Sequence, residues 1–117
     1  MFLNTTFLRL NDIIDWAVDA SVFGELDLES KAIILFIANR QLNNEEVCAT
    51  DIINNKSMPG SPVTLFKRIH FLKNKGWISS EQSLDHHRKS KLTLSSTAIE
   101  NINMISNLIE FKLGHKL

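Results

Sequence analysis

Few folds can accommodate residues 60–78, GSPVTLFKRIHFLKNKGWI. The stretch opens on Ser61-Pro62, where a hydroxyl can cap a helix and proline at the first helical position gives up no backbone hydrogen bond. It closes on Lys75-Gly76-Trp77-Ile78, where glycine suits the left-handed conformation that ends a helix. Between these stops Leu65, Ile69 and Leu72 share one narrow arc at about 100° per residue and must face a core, flanked by Pro62, Arg68 and Phe66. The opposite side carries Val63, Lys67, His70 and Asn74. Residues 61–80 contain no Asp or Glu at all. A helix that meets only water usually mixes signs, with acids paired to lysines at helical spacing. Two explanations compete: an anionic partner, or solubilising lysines at 67, 73 and 75 with Arg68 laying its stem along the core edge.

The rest of the chain places this helix in a fold. Apolar spacing at Leu10, Ile13, Ile14, Ala17 and Val18 predicts a helix over 9–22, with Asn11 as N-cap and Gly24 past its end. Residues 28–41 predict a second helix, almost fully buried through Ile33, Ile34, Phe36 and Ile37 and closed by Asn43-Asn44. EEVCA is expected to run extended. Thr50 is expected to cap a brief helix, DIINNK, with Asp51 in its positively polarised first turn. After the breakers Pro59 and Gly60 comes the helix 61–75. WISSEQ and KLTLS then alternate as strands around the polar, basic loop SLDHHRKS. A long helix from Ser95 or Ser96 follows, with Ile99, Ile102, Ile105, Leu108 and Ile109 on its apolar side.

Two helices joined by a tight turn and followed at once by a basic hairpin predict a winged helix-turn-helix. The fold class is therefore mainly α with a small β-hairpin wing (α+β), with extra N- and C-terminal helices. Residues 1–117 are read as one domain: 28–95 form the nucleic-acid-binding lobe, and 9–23 and 96–113 are flanking helices. In this arrangement helix 61–75 enters the major groove of double-stranded DNA, while loop 83–91 reaches the backbone or minor groove. Lys67, Arg68 and His70 would face phosphates, and Ser61, Val63 and Thr64 the base edges or a thymine methyl group. In the wing, His86, His87, Arg88, Lys89 and Lys91 suit backbone contact, since histidine titrates near neutrality. Adjacent histidines on a strand point to opposite faces, and no Cys or third His lies at ligand spacing, so no metal is expected.

SPVTLFKRIHFLKNKGWI followed by DHHRKSKLTLSSTA resembles the DNA-binding lobe of the MarR (multiple antibiotic resistance regulator) family of winged-helix transcription factors. The matching positions are Thr64, Leu72, Gly76, Ile78, Asp85, Arg88 and Leu94, with Ser95 where the family has threonine and Ala98 where it usually has glycine. The Asp-to-Arg spacing is slightly longer than the common form, and the likeness spans about residues 28–98. The resemblance implies a wing ion pair between Asp85 and Arg88 that aims Arg88 at DNA, and a homodimer built by the N- and C-terminal helices. The residues agree on the dimer independently. Met104, Leu108 and Phe111 widen the apolar stripe of the last helix beyond one core contact, and Phe2, Phe7, Trp16 and Phe23 add to the first. The competing expectation is that the two helices cover each other within one chain.

Charge divides along the sequence although the net charge is zero. Residues 1–60 hold four cations against nine acids, residues 61–117 nine cations against four acids. That asymmetry points to an anionic partner for the second half. An enzyme is not expected: no phosphate-binding glycine motif or nucleophile elbow is present, and Cys48 lacks a basic neighbour and suits a small buried hydrophobe. No cofactor is implied, and no residue pattern calls for a small-molecule effector. Single-stranded RNA binding lacks an aromatic platform, since Phe71 alone does not make one. The longest apolar run, AIILFIA, is too short to span a bilayer and no signal sequence opens the chain, so the expected setting is the cytoplasm, without membrane contact. The leading expectation is a homodimeric, sequence-specific DNA-binding transcription regulator that represses by occlusion. The alternative is a winged helix for protein–protein contact, a small accessory factor docking an acidic partner. Burial of Lys67 and His70 against another helix would favour the alternative.

Overall fold

The computed structural model describes residues 2–81 and 90–116. The elements are α1 (Thr6–Asp19), a 3₁₀ turn (Phe23–Glu25), α2 (Leu28–Leu42), α3 (Ala49–Ile53), α4 (Pro62–Asn74), β1 (Ile78–Glu81), β2 (Lys91–Leu94) and α5 (Ser96–Lys116). They form two compact units, residues 26–99 and residues 1–25 with 100–117.

In the first unit, α4 packs on α2 and α3. Its core joins Ile33, Ile34 and Ile37 of α2, Ile52 of α3, Leu65, Ile69 and Leu72 of α4, and Trp77, Ile78 and Leu92 of the hairpin. The buried arc of α4 is the one its spacing predicts. Asp27 caps α2 by accepting the Ser30 N–H at 2.8 Å. Asn43 and Asn44 close that helix, Asn44 adopting the left-handed conformation (φ 58°) that asparagine tolerates at such a position.

α3 begins earlier than its sequence predicts. Cys48 rather than Thr50 is the N-cap residue, because Asp51 then lies at the third helical position and accepts the Cys48 N–H at 2.9 Å. EEVCA runs alongside β2 through one bond, from Leu92 N–H to Val47 O at 2.6 Å, and is not itself a strand of the sheet. β1 and β2 pair antiparallel with Ile78 opposite Leu94 and Glu81 opposite Lys91, slightly shorter than the sequence predicts. The hairpin base is tied to α2, where Gln41 Oε1 accepts the Leu94 N–H at 2.8 Å.

In the second unit, α1 starts at Thr6, ahead of the expected Asn11 cap. Asn4 Oδ1 accepts the Thr6 N–H at 3.1 Å, and apolar residues continue back through Leu8 and Phe7, so the helix can begin a turn sooner. Asn11 instead lies inside it, its amide 3.5 Å from Asp15 Oδ2. The other end is set by Ser21, whose hydroxyl donates to Val18 O at 2.6 Å and accepts the Gly24 N–H at 3.1 Å. Gly24 is required there by close approach, because a Cβ would lie 2.2 Å from Val18 O. α1 and α5 touch: the Lys112 ammonium lies 4.8 Å above the Trp16 ring, and Asn101 Oδ1 accepts the Phe23 N–H at 3.3 Å. They do not cover each other. Phe7 is 74% exposed and Phe111 59%, while Ala17 and Phe23 are buried. Among the described residues no helix is long and apolar enough to cross a membrane.

Candidate nucleic-acid interface

α4 is held at both ends by local chemistry. Ser61 Oγ accepts the Thr64 N–H at 3.2 Å and donates to Thr64 Oγ1 at 3.1 Å, with Pro62 in the first turn. Gly76 has φ 78°, and a Cβ there would meet no atom within 4 Å, so backbone conformation rather than space calls for glycine. Trp77 N–H then bonds Leu72 O at 2.9 Å and starts the hairpin directly off the helix.

The outward side of α4 is open. Val63 is 65% exposed, and Lys67, His70 and Asn74 are exposed as well. Neither Lys67 nor His70 is buried against another helix of this chain. No acid lies on α4, but one from α2 reaches it: Arg68 Nε stands 3.0 Å from Asp27 Oδ2, with the Arg68 side chain 37% exposed. The contact is an ion pair rather than an aligned hydrogen bond. Arg68 thus braces α4 against the start of α2, combining the core-edge stem with a charge partner that its helical position could not reveal. Asp27 acts twice, as α2 cap and as counter-ion. Asp27→Ala is expected to cost about 1–2 kcal/mol in denaturant unfolding, mostly through the lost cap. Arg68→Ala is expected to cost less than about 1 kcal/mol, as partly exposed pairs do.

Phe66 was not among the expected site residues. Its angle flanks the core arc, yet it is 52% exposed, and its ring meets that of His70 edge-on with centroids 4.6 Å apart. The signal available in the sequence was the i, i+4 spacing of the two rings. Thr64 is partly buried and engaged with Ser61. Lys91 is partly buried and lies 3.8 Å from Glu81 across the hairpin, so its charge faces an acid of its own wing. Asp85, His86, His87, Arg88 and Lys89 lie outside the described residues, and with them the expected Asp85–Arg88 pair. Cys48 is buried, its thiol 3.1 Å from Thr50 Oγ1 and 3.3 Å from Asp51 Oδ2. Among the described residues no group of three or more His, Cys, Asp or Glu is arranged to hold a metal ion.

A helix-turn-helix whose second helix stands open beside a two-stranded hairpin defines the class: a winged helix. No family model and no curated protein matches the sequence. Solved structures do match. The chain is similar along its whole length to a selenomethionine-labelled mutant of MepR from a multidrug-resistant S. aureus clinical isolate, covering 86% of that chain at 15% identity and TM-score 0.65. It is also similar to a protein of Bacillus cereus ATCC 10987 described as a MarR-like transcription regulator, with 92% of this chain and 74% of the other covered at 17% identity and TM-score 0.50. The fold is the winged helix that these regulators have.

Proposed function

We propose that this chain is a sequence-specific, double-stranded-DNA-binding transcription regulator of the MarR type, acting as a homodimer in the cytoplasm. The observation that carries the reading is the outward side of α4, exposed, free of acids and held between its own stops. α4 enters the major groove, Lys67 meets a phosphate, and the wing 83–91 follows the flanking backbone with Arg88 and Lys89. Lys91 anchors the wing through Glu81 rather than leading its contacts. Occlusion of a promoter is the simplest consequence, so repression is the expected effect.

The dimer is supported by the unit of residues 1–25 and 100–117. Glu100, Asn103, Met104, Asn107, Leu108 and Phe111 line one open hollow, at the i, i+3, i+4, i+7 spacing of a helix that meets another helix. Together with exposed Phe7, Leu10, Ile14 and Trp16, this is more apolar surface than a small lone chain usually leaves bare. Twofold symmetry would match a palindromic site. Selection from a random duplex pool is expected to return two half-sites related by a dyad, about 10 base pairs or a multiple apart. Sedimentation is expected to give a dimer for the wild type and a monomer for Phe111→Glu. A pool with no enriched symmetric site, or a wild type that sediments as a monomer, would contradict the proposal.

A further inference from the structure

What α4 reads can be narrowed further, on the basis of the DNA-binding reading above. In the major groove, guanine is met chiefly by a free Arg or Lys, adenine by Asn or Gln, and the thymine 5-methyl group by an apolar side chain. The single arginine of α4 is engaged, with Arg68 3.0 Å from Asp27. The Ser61 and Thr64 hydroxyls are bound to each other. Asn74 is the last residue of the helix, whereas base contacts come from the N-terminal part of such a helix. Lys67, exposed on the outward side, is the phosphate contact of the reading above. The apolar side chains left exposed within the first turns are Val63, 65% exposed, and Phe66, 52% exposed at the edge of the core arc. Phe66 is held at its side by the edge-on His70 ring, 4.6 Å between centroids, so it presents an oriented apolar surface on a side without acids.

We infer that Phe66, with Val63 beside it, is the specificity-determining residue of α4, packing against the 5-methyl groups of thymines in each half-site. His70 is a positioning residue that holds the phenyl ring. The favoured half-sites carry thymine where α4 meets the groove, and the methyl group rather than a base-edge hydrogen bond supplies the discrimination.

The test compares the selected duplex with the same duplex synthesised with deoxyuridine in place of thymine, a change that removes only methyl groups. Each buried methyl is worth roughly a fourfold change in affinity. The wild type is expected to bind the uracil duplex about fifteenfold more weakly when one methyl per half-site is contacted. Phe66→Ala is expected to bind both duplexes alike, with its salt dependence intact, and Phe66→Leu to keep most of the preference. Circular dichroism of both variants reports that the fold is retained. Equal binding of the two duplexes by the wild type overturns the thymine inference while leaving DNA binding standing. A preference that persists undiminished in Phe66→Ala removes Phe66 from the role. Absence of binding to any duplex overturns both the inference and the reading beneath it, and so is distinct from either.

Discussion

Lys67→Glu is expected to abolish detectable binding to duplex DNA while leaving the fold unchanged. Lys67 stands on the open side of α4, exposed, and forms no ion pair among the described residues. Its charge therefore supports nothing within its own unit. In contact with a phosphate it releases close to one condensed counterion, and a homodimer brings two copies. Lys67→Ala is expected to weaken binding about fiftyfold near 0.1 M salt, uniformly across sequences, and to lower the salt slope by roughly two for the dimer. Reversal to glutamate adds repulsion to that loss. Fluorescence anisotropy across a salt series measures both quantities, and an unchanged melting temperature separates lost contact from lost structure. A slope unaffected by Lys67→Ala would place this lysine away from the phosphates.

The largest effect on stability is expected at Leu72, which is fully buried in the core of residues 26–99. Truncation to alanine removes the buried side chain and leaves a cavity, at a cost of about 3 kcal/mol. For a unit of this size that lowers the melting temperature by roughly 15 °C. Binding should fail with it, because Leu72 fixes the helix whose other side is proposed to face the groove. Leu72→Met, which nearly conserves volume, is expected to cost less than about 1.5 kcal/mol. Phe66→Ala, on the exposed side of the same helix, is expected to stay within about 0.5 kcal/mol of the wild type. The contrast between Leu72 and Phe66 separates the two sides of α4: one holds the fold and the other is the side proposed to read DNA. A small loss for Leu72→Ala in calorimetry would mean that α4 is not seated as described.

Much of this was legible in the sequence because the deciding interactions are local. Ser61-Pro62 and Gly76 bound α4 through contacts within a few residues, so its limits and its buried arc follow from the chain alone. The hairpin was legible as two short strands around a polar loop, but the alternation expected of WISSEQ is not what holds it: Trp77 and Ile78 are both buried, and Ser79, Ser80 and Glu81 are all exposed. What was not legible depends on residues distant in the chain. The helical angle of Arg68 says that it leaves the core edge, and it takes the folded unit to bring Asp27 of α2 to 3.0 Å from it. The angle of Phe66 allowed either packing or exposure, and the outcome turns on which neighbours α2 and α3 supply beside α4. Lys91 counted among the wing cations by position, yet register sets it opposite Glu81. Helix starts failed more mildly. Asn11 and Thr50 are each good cap residues, but Asn4 and Asp51 reach free N–H groups that place the starts of α1 and α3 earlier.

The role of Arg68 also changes what a mutational survey of α4 should show. Because its guanidinium is paired with Asp27, Arg68→Ala acts first on how α4 sits against α2 and only second on charge at the groove. Lys67 carries the opposite signature, with salt dependence altered and stability untouched.

The most direct measurement is the affinity of the wild-type chain for a mixed pool of duplex DNA as salt rises from about 50 to about 200 mM, a range in which phosphate contacts dominate. Tight binding at the low end that falls steeply and linearly on logarithmic axes is the result expected of α4 and the wing meeting the backbone. No binding even at about 50 mM salt, where phosphate contacts are strongest, would contradict the account and leave this winged helix as a surface for another protein.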